Sequence, residues 1–474
     1  MTYSEAILAS LLRSLVIAGV GTPLAWMVFL GLDQSPGRLR PWFWLLVLLP
    51  FLTPSLMTGY CYRDTALALV HRPWAGELIY SLVIAGQTIP VGVLIYQFAP
   101  PPVVSDSARH VARLTRRRRP SNWRNPVGWA GLARHVVPCA AIFGLVFQEA
   151  DLASLMQAAT WSEWLFTHHA GGLPVGTSAR LAAVPMLLQV PFLILLAVWV
   201  CRPRDLQERL KRTQPISKGA WLLSINWVMI ALLAVCILPS IQLFRGARQG
   251  WPTLFDQRST WEELQDSLLL AVTCGGLVFW MASQALNTAR RRFSKVPNAN
   301  WAIPPLIAVC GVGLMGNLSL GLILAAIFQT PLLQWAYDTP IPLIVGESLY
   351  VLPRTLILMA GASTLIDSSA HHCLGMVRPQ SSGRTSHWRE LQWRESGIVL
   401  FIVFLCGCGW VYLEVMLPTL LAMPGMAPVS LILYNSLHYG RISALGAKLV
   451  LALIVPLVAA ALFLGVRRLS FRRS

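Results

Sequence analysis

Charge is what this chain has least of. Asp and Glu number 20 in 474 residues, and all charged residues together make up 12%. Soluble domains carry about a quarter, so an ordinary soluble enzyme, a disordered chain and a solvated repeat array are excluded. CxxC spacing is missing as well. The nine Cys include no such pair, which leaves neither a zinc site nor a thioredoxin motif. Cys139, Cys236, Cys274, Cys310, Cys406 and Cys408 fall inside apolar runs, as small core residues do. The sequence has no Walker A phosphate loop, no HExxH and no GxSxG. No catalytic residue, metal site or cofactor is therefore expected on the chain, and ATP would have to be bound by another subunit. The start, Met-Thr-Tyr-Ser-Glu, has no basic residue before Arg13. Without a basic n-region, the first apolar run is expected to stay as a membrane helix.

Apolar sequence is what is there, at 55% of residues. It gathers into eleven long segments, near 7–31, 42–60, 78–99, 135–158, 179–201, 220–243, 266–287, 302–328, 340–364, 396–420 and 444–466. About 20 helical residues cross the hydrocarbon of a bilayer, and none of these runs alternates with the period of two that a barrel strand needs. The expectation is an all-α polytopic membrane protein with about 11 transmembrane helices. Prolines such as Pro50, Pro54, Pro90 and Pro353 fall within spans, where neighbouring helices satisfy the freed backbone groups.

The formal net charge of +18 suggests nucleic acid until it is sorted by loop. The loop after the first segment, every second loop from there and the C-terminal tail hold 28 of the 38 Lys and Arg; the opposite set holds seven. Basic residues gather in cytoplasmic loops, so the pattern predicts an outside N-terminus and an inside C-terminus, with no nucleic-acid partner. Trp42, Trp44, Trp161, Trp164, Trp221, Trp301 and Trp393 stand near span ends, as an interfacial belt does.

The halves of the chain echo each other. Ser14-Leu15-Val16-Ile17-Ala18 answers Ser267-Leu268-Leu269-Leu270-Ala271, Ile89-Pro90 answers Leu352-Pro353, and Glu149 answers Glu414. Both halves have the same charge orientation, which predicts two parallel pseudo-symmetric repeats. The first covers 1–201 with five helices. A cytoplasmic linker follows at 202–219, and the second repeat covers 220–474 with six.

The order of a Ser-Leu helix, a Pro-rich helix, a Pro-kinked helix, a cytoplasmic loop and a helix ending in Glu resembles the inner-membrane permease subunits of bacterial ABC importers. The likeness is strongest to the fused two-permease type that handles ferric iron or thiamine. Its sharpest stretch runs from Glu414-Val-Met-Leu-Pro to Gly425 and on through Tyr434-Asn435-Ser436-Leu437-His438-Tyr439-Gly440. The resemblance implies a multi-pass bacterial inner-membrane protein that moves a small solute, iron(III) first. Its partners would be membrane lipid, a cytoplasmic ATP-binding subunit and a periplasmic solute-binding protein. It also implies ATPase-coupling loops with Glu-Ala-Ala, three residues, then Gly. The matching positions read Ser107-Ala108-Arg109 in one half and Ser369-Ala370-His371 with Gly375 in the other. Both lack the Glu. The alternative is therefore a permease-like membrane protein without ATPase coupling, acting as a scaffold or sensor.

Charged groups inside spans are costly and mark candidate sites. Glu149 and Glu414 occupy equivalent places and are candidates for a translocation path, as are Glu347 and Arg354, seven residues apart on one helical face. On a continuous helix Asp151 points away from Glu149, and Arg13 is expected to reach the outer surface along its aliphatic stem.

Overall fold

The computed structural model describes residues 1–36, 38–98, 126–201, 217–254, 259–295, 311–365, 393–438 and 445–473. All regular elements among them are helical. In the first half they are α1 (Tyr3–Gln34), α2 (Arg40–Leu52), α3 (Ser55–Ala68), α4 (Pro73–Phe98), α5 (Pro126–Phe147), α6 (Asp151–Met156), α7 (Trp161–Ala170) and α8 (Val175–Cys201). Then come α9 (Lys218–Leu232) and α10 (Leu238–Leu254), joined through one π-helical turn. After them the order is α11 (Ser259–Lys295), α12 (Asn317–Phe328), α13 (Gln334–Tyr337), α14 (Ile341–Leu365), α15 (Ile398–Leu413), α16 (Met416–Leu421), α17 (Val429–His438) and α18 (Leu445–Arg473).

Seven of these helical stretches are long and apolar enough to cross a membrane, or eight if the bent pair α2–α3 is one span. Their large apolar side chains face outward: Val16, Leu187 and Leu457 are each about two-thirds exposed, which is the surface a bilayer covers. The chain is a multi-pass, all-helical membrane protein.

Eleven long spans were expected, and the physical reasons for the difference are local. Segment 42–60 bends by 65° between α2 and α3, where Pro54 starts α3 without a backbone N–H to give. Segments 135–158 and 396–420 each stop short. Their helices end at Phe147 and Leu413, and a turn then leads into a six-residue helix. Segment 302–328 is described only from residue 311, and its helix is the twelve-residue α12.

Packing repeats along the chain. α1 packs on α4 and α5, and α11 packs likewise on α14 and α15; α3 lies on α6 as α12 lies on α16. A serine marks the true register. Ser10 Oγ accepts from the first N–H of α7, that of Trp161, at 3.0 Å; Ser267 Oγ accepts from the first N–H of α17, that of Val429, at 2.6 Å. The partner of Ser267 is thus Ser10 and not Ser14, one helical turn away from the sequence echo. Ser10-Leu11-Leu12 matches Ser267-Leu268-Leu269.

The halves meet where α4 touches α14, α8 touches α12 and α3 touches α17. The helix formed by α9 and α10 lies outside this scheme. It covers α1 and α4 with one end and α18 with the other. Buried Lys448 of α18 pairs with Glu263 of α11.

Candidate functional site

Each half breaks a helix on a glutamate. Phe147 ends α5, and the Glu149 carboxylate turns back to accept the N–H groups of Leu152 and Ala153 at 2.5 and 2.9 Å. Leu413 ends α15, and the Glu414 carboxylate accepts those of Met416 and Leu417 at 3.1 and 2.8 Å. The first N–H groups of a helix have no partner within it, and the positive end of its dipole favours an anion. Glu149 and Glu414 therefore start α6 and α16 in the same way.

The two caps have different surroundings. Glu149 accepts the Tyr80 hydroxyl from α4 at 3.1 Å, and Arg13 lies over the Tyr80 ring, 5.0 Å from its centre. Arg13 is buried. It grips Glu77 through two nitrogens and donates to the Ala159 carbonyl at 3.0 Å. An outward reach from α1 was expected of it; this inward ion pair replaces that, because Glu77 on α4 offers a bidentate partner.

Glu414 sits at the seam of the halves and is 3% exposed. Asn317, the first residue of α12, donates its side-chain amide to Glu414 at 2.7 Å and to Asp151 at 2.9 Å. Asp151 thus faces the second half. It does so from beyond the helix break, since α5 ends four residues before it, and Glu149 turns instead to Tyr80. Gly316 makes the approach possible. It has φ of +100°, and a Cβ there would meet Gln148 at 3.1 Å. Nearby, Ser154 of α6 and Tyr434 of α17 share a 2.5 Å hydrogen bond, a second link across the seam.

Glu347 and Arg354 of α14 complete the cluster. Glu347 is wholly buried, and neither of its oxygens has a hydrogen-bond partner among the described residues. It interacts with Glu414, Asp151 and Arg354. The Arg354 guanidinium lies over the Tyr350 ring, 3.8 Å from its centre, and makes no ion pair with Glu347 among the described residues. Three of the four path candidates, Glu414, Glu347 and Arg354, are thus brought together, and Glu149 stands apart with Tyr80.

Sequence reasoning missed Asn317, Tyr80, Glu77 and the partner of Asp151. Asn317 had a signal, as a lone amide inside the apolar run 302–328. Among the described residues no group of three His, Cys, Asp or Glu is set to hold a metal ion. Close to the seam, a cavity of about 60 Å³ is lined by Arg63, Ser154, Gln157 and His438 among others. The coupling-loop candidates Ser107, Ala108, Arg109, Ser369, Ala370, His371 and Gly375 lie outside the described residues. No protein-family model, curated protein or solved structure matches the chain.

Proposed function

We propose that the chain is the membrane permease of an importer, with a solute path at the seam between its two halves. One observation carries this reading. The unit of a broken helix, a capping Glu, a six-residue helix and a ten-residue helix occurs twice, at Glu149 and at Glu414. Broken helices that meet at a repeat interface with polar groups between them are the usual build of a transport site. The path narrows at Asp151, Asn317, Glu414 and Glu347, and rocking of the halves opens it. The permease resemblance adds a bacterial inner-membrane location, a separate cytoplasmic ATPase, a periplasmic solute-binding protein and iron(III) as the first solute to try. No reaction is assigned to the chain itself.

Uptake assays test this. Ala at Glu149 and at Glu414 is expected to lower solute uptake by cells or proteoliposomes, and unchanged uptake in both variants defeats the path. Crosslinkers placed within 105–114 and 367–378 report the motor. Capture of a Walker-type ATPase at either loop supports the importer.

A second reading is a permease-like chain that no longer engages an ATPase. The missing Glu of both coupling loops favours it. Failure of both loops to contact an ATPase in native membranes selects it.

A further inference from the structure

Glu347 and Glu414 present unlike carboxyl groups to one another. Three donors converge on Glu414: the Asn317 amide and the N–H groups of Met416 and Leu417. Such donors favour the anion. Glu347 has no donor among the described residues and no exposure at all. The turn of α14 that carries it packs against α16, where a Cβ at Gly346 would meet Leu421 at 3.0 Å and Leu417 at 3.3 Å, and its carboxyl interacts with that of Glu414. Two carboxylates only accept, so this contact is repulsive until one proton enters it. With a proton on Glu347 it becomes a hydrogen bond to the Glu414 anion.

The neighbouring charges favour the same arrangement. Asp151, from the start of α6, adds a charge of the same sign. Arg354, on the same helix as Glu347, opposes it but is spread over the Tyr350 ring. From α11, Cys274 interacts with Glu347 and with Cys408 of α15. Asn317 of α12 is engaged with Glu414 and Asp151. A hydrated cation needs space and several oxygen ligands. Side chains exposed by 0% and 3% leave little of either, and a proton needs neither.

We propose that the Glu347–Glu414 pair is a proton-binding site at the seam, occupied by one proton while the halves are closed. Asp151 comes from the first half, whereas Asn317, Glu347 and Glu414 come from the second. Parting the halves removes Asp151 and admits water. The Glu347 O–H then gives its proton to water and is left as a carboxylate. Closing the halves reverses the step. Proton movement is thereby tied to the solute path, with no contribution from an ATPase. The use of the proton rests on the permease reading; its presence does not.

Infrared spectroscopy of the full chain in lipid at about pH 7 tests the site. We expect a carboxylic-acid C=O band that shifts on deuteration and is lost in Glu347→Gln. Absence of any band that Glu347→Gln removes overturns the proposal. Glu414→Gln keeps Glu347 and replaces its acceptor by an amide, so the same band must move; an unmoved band overturns the pairing, even if Glu347→Gln does not fold. Neither measurement needs a solute. A band that behaves as expected beside failed uptake in proteoliposomes counts against the permease reading alone.

Discussion

Asn317 and Asp151 are joined by a 2.9 Å side-chain hydrogen bond across 166 positions of chain. The same amide nitrogen reaches Glu414 at 2.7 Å. An NH₂ group has two hydrogens, and here each serves a carboxylate from a different half. Asn317→Ala leaves both acceptors without this donor, a cost of about 1–3 kcal/mol per buried group. Asn317→Asp removes the donor and adds a fourth acid to Asp151, Glu414 and Glu347, so its melting temperature in detergent is expected to fall further than that of Asn317→Ala. The reverse order refutes the bridge.

The caps give a paired test. Loss of a side-chain N-cap costs about 0.5–2 kcal/mol. Glu149→Ala and Glu414→Ala both lose two backbone acceptances; Glu149→Ala also frees the buried Tyr80 hydroxyl and Glu414→Ala one hydrogen of the Asn317 amide. Thermal unfolding is expected to show both variants destabilised, by similar amounts. Equal stability to the parent in either variant excludes capping as the role of that residue.

The helical, membrane-spanning character was legible because composition and run length report it directly. So was the recurrence of Glu149 and Glu414, since identical residue types stood at matching places. The breaks were not legible. Phe147-Gln148-Glu149 and Leu413-Glu414-Val415 continue apolar runs without Gly or Pro, and only the backbone N–H groups that the carboxylates accept show where the helices stop. The break in α5 is also what brings Asp151 to Asn317 while Glu149 keeps to Tyr80. Register was lost by one turn because Ser10 and Ser14 both begin Ser-Leu in an apolar run. The hydrogen bond to the first N–H of α7 separates them. Long-range partners such as Glu77 for Arg13 depend on helix packing, which hydropathy does not encode.

Arg13 supplies a third prediction. Its side chain is buried, whereas that of Glu77 is 40% exposed, so solvent screens part of the attraction. Removing one member is expected to cost about 1–3 kcal/mol, between the surface and buried limits. Arg13→Leu leaves Glu77 and the Ala159 carbonyl without their donor. The double variant Arg13→Leu/Glu77→Leu removes the stranded charge and is expected to regain part of the loss. A double variant that simply sums the single losses rules out a direct coupling between the two.

Helix contact between α10 and α18 depends on glycine. A Cβ at Gly446 would meet the Ala247 backbone nitrogen at 2.7 Å, whereas one at Gly465 would meet nothing within 4 Å. Backbone cannot move aside as a side-chain tip can, and overpacking of this kind costs about 1–3 kcal/mol. Gly446→Val is expected to lower the melting temperature, and Gly465→Ala to leave it level or raise it through better helix propensity. Similar effects at the two positions refute close packing of α18 on α10.

Glu163 sets a pH dependence outside the long spans. It lies in α7, whose ten residues are too few to cross about 30 Å of hydrocarbon. Burial raises its carboxyl from the ordinary 4.5 to about 7, against the lowering effect of the Ser154 and Thr167 hydroxyls. The folded chain therefore holds a proton here that the unfolded chain gives up at lower pH. The resulting stabilisation is full below about pH 4.5 and is lost as pH rises through about 7. Glu163→Gln is fixed in the neutral state and cannot lose this contribution. Melting temperatures at about pH 5 and pH 8 decide the matter. The parent is expected to fall between them by more than Glu163→Gln, and equal falls remove Glu163 as the source. Ser154 also bonds Tyr434 across the seam, so the hydroxyl that acts on Glu163 also helps hold the halves together. The Ser154→Ala variant loses a hydroxyl that favours the ionised carboxyl, so it is expected to lose stability at both pH values and to fall further between about pH 5 and pH 8 than the parent does.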